Sequence, residues 1–314
     1  GWMTMQWKVY LNEYNVLMEH STYFPLVSGI LHSRAETFPE LKERYAFMPY
    51  LFHRDDPDLL TARHADPKVS AFSVSMWNER LSLEVARRVK ERNPDCLVVF
   101  GGPQVPYKAE DYFARHPFID VTVRGEGEDA FVDILRRFTD GRDFSGIAGI
   151  SWRDPATAAC VRNDGEREQV KDLDTYPSPY LTGKFEPMIE AYPDLSFQAI
   201  IETNRGCPFP CTFCFWGQGG LSLKYRYYGV ERVKRILEWS AKNGIRYVFN
   251  ADSNFGMIQR DYEFAEFIVE MKKKHGFPEK FRTCFGKNSD EKIFRIGKLL
   301  HDHGLEKGIT LARQ

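Results

Sequence analysis

Apolar positions along residues 69–138 follow two alternating rhythms. The stretches "VSAFSVSMWN" and "CLVVFGGP" are short, nearly continuous apolar runs, as in strands buried on both faces, whereas "ERLSLEVARRVKERNP" spaces its apolar residues at helical intervals. "IDVTVRGEGE" and "EDAFVDILRRFTDG" repeat the strand-then-helix order. Short apolar strands joined through helices predict an α/β fold with a doubly wound, Rossmann-like parallel sheet, and "KVYLNEYNV" reads as its first strand. Next, "GIAGISWRD" and "AACVRNDGE" read as a hairpin followed by a polar, proline-bearing linker.

A second alternation starts at Phe197. It runs from strand "FQAIIETNRG" to helix "GVERVKRILEWSAKNG", strand "IRYVFNADSNFG", helix "RDYEFAEFIVEMKKKHG", strand "EKFRTCFGKN", helix "DEKIFRIGKLLHDHG" and an apparent strand "LEKGITLAR". Four such units predict a partial (β/α) barrel with functional loops at the carboxyl ends of its strands. The expected division is therefore a doubly wound domain over residues 1–141, a hairpin and linker over 142–190, and a partial barrel over 191–314. Ending at Gln314, at or inside a strand, would leave an exposed edge, which predicts a further carboxyl-terminal part.

Charge and cysteine usage narrow the chemistry. With 43 Lys and Arg against 44 Asp and Glu, the net charge of -1 offers no overall field for nucleic acid or an anionic membrane. No stretch approaches the roughly 20 apolar residues of a membrane span, and the first residues lack a signal-peptide pattern, so the expected location is cytoplasmic. In that reducing compartment clustered cysteines suit metal ligation or catalysis better than disulfides. Three of the six cysteines cluster, as Cys207, Cys211 and Cys214; Cys96 and Cys160 read as ordinary buried or half-buried thiols.

The spacing is C-x-x-x-C-x-x-C, with Pro208 and Pro210 disfavouring helix and leaving an irregular loop able to wrap thiolates around one centre. Thiolates suit zinc or an iron-sulfur cluster. Structural zinc takes four closed ligands, whereas a cubane held by three cysteines leaves one iron open. A zinc site closed by the distant Cys284, or three unliganded thiols, remain alternatives on spacing alone.

The cysteine loop after a strand, with Phe213 before its last cysteine, resembles the signature of the radical S-adenosylmethionine superfamily. That resemblance implies a [4Fe-4S] cluster on Cys207, Cys211 and Cys214, whose open iron chelates S-adenosylmethionine, and a 5′-deoxyadenosyl radical released by reductive cleavage. Phe213, Asp252, Ser253 and Asn254 then become candidates for contact with S-adenosylmethionine; "DSN" stands where the family commonly has a glycine-glycine-glutamate turn. Lys287 and Gln314, with Asn288 and Arg313, end the third and fourth strands and are further candidates, and Arg205 is placed to counter cluster charge or to form a salt bridge.

In the first domain two glycine pairs stand at strand ends, Gly101 with Gly102 and Gly125 with Gly127. No dinucleotide fingerprint or phosphate-loop lysine accompanies them, and Glu126 and Glu128 would repel a bare pyrophosphate, which favours a large, uncharged, amide-rich ligand. The order "GGP" then "RGEGE", upstream of such a cysteine loop, resembles the cobalamin-binding domain of the cobalamin-dependent branch, the class B radical SAM methyltransferase family. The resemblance implies cobalamin near Ser73, Ser75, Trp77, Gly101, Gly102, Gly125, Glu126, Gly127 and Glu128. No D-x-H-x-x-G motif supplies a lower axial histidine, since "HDHG" at His301 has another spacing, so the lower face is left to water or an apolar side chain such as Trp77.

The implied function is C-methylation of an unactivated carbon in a natural product or other small-molecule or peptide substrate, through the adenosyl radical and methylcobalamin, with flavodoxin or ferredoxin as electron donor. No nucleic acid or membrane partner is expected. A cyclase or rearrangement enzyme on the same two domains, and a non-catalytic metal-stabilised binding module, are the rival readings.

Overall fold

The computed structural model describes residues 5–206, 225–286 and 291–306. The chain divides into two compact units, Gly1–Leu17 with Pro25–Gln169, and Met18–Phe24 with Val170–Gln314. Among the described residues no helix is long and apolar enough to cross a membrane.

In chain order the first segment runs through β1 (Trp7–Asn15), then β2 (Ser21–Tyr23), a strand of the second unit, α1 (Leu26–Ala35), α2 (Pro39–Arg44), β3 (Tyr45–Phe47) and β4 (Leu51–His53). It continues with α3 (Pro57–Ala62), β5 (Val69–Ser73), α4 (Glu79–Arg92), β6 (Leu97–Gly101), α5 (Glu110–Arg115), β7 (Val121–Val123), α6 (Glu128–Phe138), β8 (Ile150–Arg153) and β9 (Cys160–Arg162).

The first unit's sheet has the order β3-β1-β5-β6-β7-β8-β9, with β4 also on β1. Pairing is parallel as far as β7 and antiparallel for β8 and β9. The predicted hairpin therefore completes this sheet, and the two units divide after it, at Gln169, within the span expected to hold hairpin and linker. Both faces are buried, as the continuous apolar runs require. On one face Tyr10, Phe72, Val74, Val98 and Phe100 pack with Leu81, Val85 and Val89 of α4 and Phe113 of α5. Along β1, β5 and β6 the alternate residues Val9, Leu11, Val69, Ala71, Leu97 and Val99 are buried too. Phe72 and Phe100 are almost wholly enclosed, so truncating either to alanine costs about 3–5 kcal/mol.

The second unit contains α7 (Glu186–Ala191), β10 (Ser196–Ile201), β11 (Asn204–Arg205), β12 (Arg226–Tyr227), α8 (Val230–Lys242), β13 (Tyr247–Phe255), α9 (Gln259–His275), β14 (Lys280–Phe285) and α10 (Glu291–Asp302). Its parallel sheet has the order β14-β13-β10-β2. Three expected barrel strands are present as β10, β13 and β14; the fourth, "LEKGITLAR", lies mostly outside the described residues. The strand β2 is too short and too polar to signal itself, yet it pairs with residues 196–198 of β10. Beyond that overlap the Tyr180 hydroxyl donates to Ile200 O at 2.7 Å and accepts from Ile200 N at 3.0 Å, one side chain satisfying what a longer strand would have covered. Phe24 stacks between Phe185 and Phe197 at 4.8 and 4.9 Å, which fixes β2 and α7 against β10.

Candidate functional site

Three predicted stretches leave one edge of the first sheet. Because β5, β6 and β7 are parallel neighbours, residues 73–78, Gly101 with Gly102, and residues 125–128 all follow carboxyl ends at the same edge. The sheet grows from β1 toward β3 and β4 on one side and toward β5 on the other. That reversal makes the carboxyl ends of β1 and β5 a topological switch point, the customary ligand position in open α/β sheets.

The turn after β5 is tied by Asn78, whose Oδ1 accepts from Ser75 N at 2.9 Å and whose Nδ2 donates to Ser73 O at 3.1 Å. Val74 N donates to Gly101 O at 2.7 Å, bringing the β5 and β6 exits into contact. Gly102 has φ +109, and a Cβ there would lie 2.5 Å from Val74 O, so only glycine allows the approach. Ser75 is buried and its Oγ has no partner among the described residues, while Met76 and Trp77 point outward at 79% and 59% exposure. At the third exit Gly125 and Glu126 lead to Gly127, which caps α6, and Glu128 opens that helix as a buried residue. Arg124, just before them, donates to Ser151 Oγ and Asn163 O, so its charge is engaged by the hairpin.

The second site surrounds the cysteine loop. Cys207, Cys211, Phe213, Cys214, Lys287 and Gln314 lie outside the described residues. Among the described residues no cluster of His, Cys, Asp and Glu could hold a metal, and Cys284 is exposed on β14. Of the isolated thiols, Cys96 is buried and Cys160 half-buried.

The residues flanking the loop are closely bound together. "NADSNF" was expected to form a turn, but β13 runs on to Phe255, with its register against β14 shifting between Asn250 and Phe255. Asn250, Asp252 and Asn254 consequently alternate inward and are buried, Ser253 being half-buried between them. Asp252 accepts from Thr203 N at 2.8 Å, Asn204 N at 3.3 Å, Asn250 Nδ2 at 3.1 Å and the Thr203 hydroxyl. Burial raises its carboxyl above the ordinary range, and these donors oppose the rise. Ser253 Oγ donates to Gly206 O at 3.3 Å, the last described residue before the cysteines.

Arg260 completes a collar. Its Nη2 donates to Thr203 O at 3.1 Å and Tyr228 O at 2.6 Å, joining the chain that enters the loop to the chain that leaves it. Tyr228 N also donates to Thr203 O, and β11 pairs antiparallel with β12. Arg205 pairs with Glu202 at 3.3 Å, the salt-bridge alternative for that residue. Beside the collar, Asp261 is fully buried and accepts from Gly256 N at 2.9 Å; burial lifts its carboxyl to about 6, with the Asp252 charge adding to the rise.

Sequence reading missed Thr203, Arg260 and Asp261: Thr203 meets the Asp252 carboxylate 49 positions away, Arg260 meets two distant carbonyls, and Asp261 meets the Gly256 amide, none of which a local pattern announces. Asn78 reads in sequence only as the last residue of the strand run "VSAFSVSMWN", and its Asx position three residues after Ser75 is the available signal.

Residues 51–135 match the family described as B12 binding domain. Over 295 residues the chain is 40% identical to a 2-(S-pantetheinyl)-carbapenam-3-carboxylate methyltransferase of Streptantibioticus cattleyicolor, covering 93% of this chain and 43% of that protein. Over 313 residues it is 38% identical to the cobalamin-dependent radical SAM methyltransferase TokK of Streptomyces tokunonensis, covering 98% and 44%. The chain thus spans less than half the length of these curated relatives. In fold it is similar to the cobalamin-dependent S-adenosylmethionine radical enzyme OxsB with aqua-cobalamin and S-adenosylmethionine bound, at TM-score 0.68 and 18% identity, covering 96% of this chain and 43% of OxsB.

Proposed function

The chain belongs to the cobalamin-dependent radical S-adenosylmethionine enzymes, and on that premise we propose that it is part of a C-methyltransferase acting on an unactivated carbon of a natural product or similar small molecule. The observation that carries the reading is the C-x-x-x-C-x-x-C spacing just after β10 and the short β11, in a chain whose first unit matches a B12 binding domain. When bound, the cluster and S-adenosylmethionine supply a carbon radical and the corrin supplies the methyl group.

The residues present fit a corrin. The outward Met76 and Trp77 offer an apolar surface, the unpartnered Ser75 hydroxyl offers a hydrogen bond, and the glycine-only contact at Gly102 lets backbone approach closely. Trp77 is the proposed lower-face neighbour, with residues 125–128 meeting the amide rim. In the second unit Cys207, Cys211 and Cys214 would hold the cluster. Asp252 and Arg260 hold the loop's stem rather than the cofactor: the carboxylate is engaged by Thr203, Asn204 and Asn250, and the guanidinium by two carbonyls. Ser253 and Asn254 remain the proposed contacts for S-adenosylmethionine, with Phe213, Lys287 and Gln314. A cytoplasmic location and a flavodoxin or ferredoxin donor complete the proposal.

Anaerobic reconstitution with iron, sulfide and hydroxocobalamin tests the reading. Iron and corrin are both expected on the protein, and turnover of the full-length enzyme is expected to give S-adenosylhomocysteine together with 5′-deoxyadenosine. Production of 5′-deoxyadenosine alone would favour cyclisation or rearrangement, and zinc without iron would overturn the assignment. Changing Cys207, Cys211 or Cys214 to alanine is expected to abolish cluster absorbance and radical turnover completely.

A further inference from the structure

We propose that Arg54 is a positioning residue for Trp77: its side chain crosses from the end of β4 to the loop after β5 and fixes the tryptophan's main chain, so that the indole is presented to the corrin already oriented. The inference rests on the cobalamin reading, with Trp77 as lower-face neighbour, and adds to it the residue that holds the tryptophan in place. In the sheet β4 pairs with β1 on one side of the switch point and β5 pairs with β1 on the other. Arg54 Nη1 donates to Trp77 O, so one side chain spans the reversal.

Both ends of that span are held. Arg54 N donates to Asn15 O at 2.9 Å and Arg54 O accepts from His53 Nδ1 at 2.8 Å, so the arginine's own backbone is seated at the end of β1. At the far end the buried Asn78 side chain ties Ser75 N and Ser73 O, and Asn78 N donates to Ser75 O at 3.2 Å. Those bonds fix the chain on either side of Met76 and Trp77. The Trp77 carbonyl precedes Asn78, the cap of α4, and has no place in that helix's ladder, so its partner comes from outside the helix, from Arg54. The Trp77 ring is mostly exposed, so packing restrains it little and its direction follows its backbone. A loop ordered before the ligand arrives spares binding the entropy of ordering it, which is how such a strut raises affinity.

Titration of the chain with hydroxocobalamin, followed by visible absorption, tests the strut. Arg54→Ala is expected to weaken binding roughly tenfold, the entropy of ordering about one residue's backbone, and to shift the bound spectrum in the direction that Trp77→Ala does. In the cofactor-free Arg54→Ala chain the amides of residues 75–78 should exchange faster with deuterium. Made in the Trp77→Ala background, the same change should weaken binding by about twofold or less, because the arginine acts through the ring. Cobinamide, a corrin without the nucleotide phosphate, should show the same loss; a loss confined to hydroxocobalamin would mean that Arg54 meets the phosphate, and would overturn the strut. Wild-type affinity in Arg54→Ala, or losses that simply multiply in the double variant, would also overturn it and leave the cobalamin reading standing. Failure of the wild-type chain to bind hydroxocobalamin would overturn both.

Discussion

Two short polar stretches at strand ends, "SVSMWN" after β5 and "NADSNF" in β13, look alike in sequence and are used in opposite ways. At the first, the Ser75 hydroxyl is enclosed without a partner among the described residues, and two large apolar side chains face outward. At the second, Asp252 spends its oxygens on Thr203, Asn204 and Asn250. Unsatisfied hydrogen-bonding capacity beside exposed apolar surface is the character of an edge made for a ligand. Full satisfaction is the character of a frame, and here the frame holds the stem of the cysteine loop.

That contrast can be broken most severely at Asp252. Replacing it with alanine leaves buried donors at Thr203 and Asn204 unpaired, an expected loss of about 3–4 kcal/mol in urea unfolding of the second unit, accompanied by faster loss of iron to a chelator. Iron retention equal to wild type would remove the collar's role in holding the loop. Gly102→Ala is expected to cost about 2–3 kcal/mol, since it combines a positive φ with a Cβ driven into Val74 O. Its urea midpoint should drop while iron retention stays unchanged.

Asp261 sharpens the comparison through pH. Its folded pKa of about 6 lies above the unfolded value near 4, so the folded chain binds more protons between those limits. Its contribution is therefore fully present below about pH 4 and is lost as pH rises through about 6. Asp261→Asn should flatten this dependence, gaining about 2 kcal/mol over wild type at pH 7.5 relative to pH 4; equal urea midpoints at both pH values for the pair of proteins would contradict it. The smallest effect on stability belongs to Trp77→Ala, within about 0.5 kcal/mol because the ring is exposed. Bound hydroxocobalamin should nonetheless change its visible spectrum in that variant.

These opposite uses also mark what a sequence can disclose. The strands β5, β6 and β10 and the helices α4, α6, α8 and α9 were legible because apolar period is a local property carried by each segment alone. So were the glycines of residues 101–102 and 125–127, which announce turns. Satisfaction is not local: Asp252 is engaged by Thr203, 49 positions away, whereas the Ser75 hydroxyl meets no partner among the described residues. Arg260 gave no signal for the same reason, since its partners are carbonyls at 57 and 32 positions' remove. The strand β2, only three residues long, had no period to read.

The placement of β2 has a consequence for synthesis on the ribosome. Residues 21–23 emerge early, but their partner in β10 is made more than 170 residues later, so the second unit's sheet cannot be completed until that segment is made. A fragment starting at Val170 would likewise present β10 with an unpaired edge over residues 196–198, inviting a neighbouring copy to fill it. Adding residues 18–24 as a separate peptide should suppress that association.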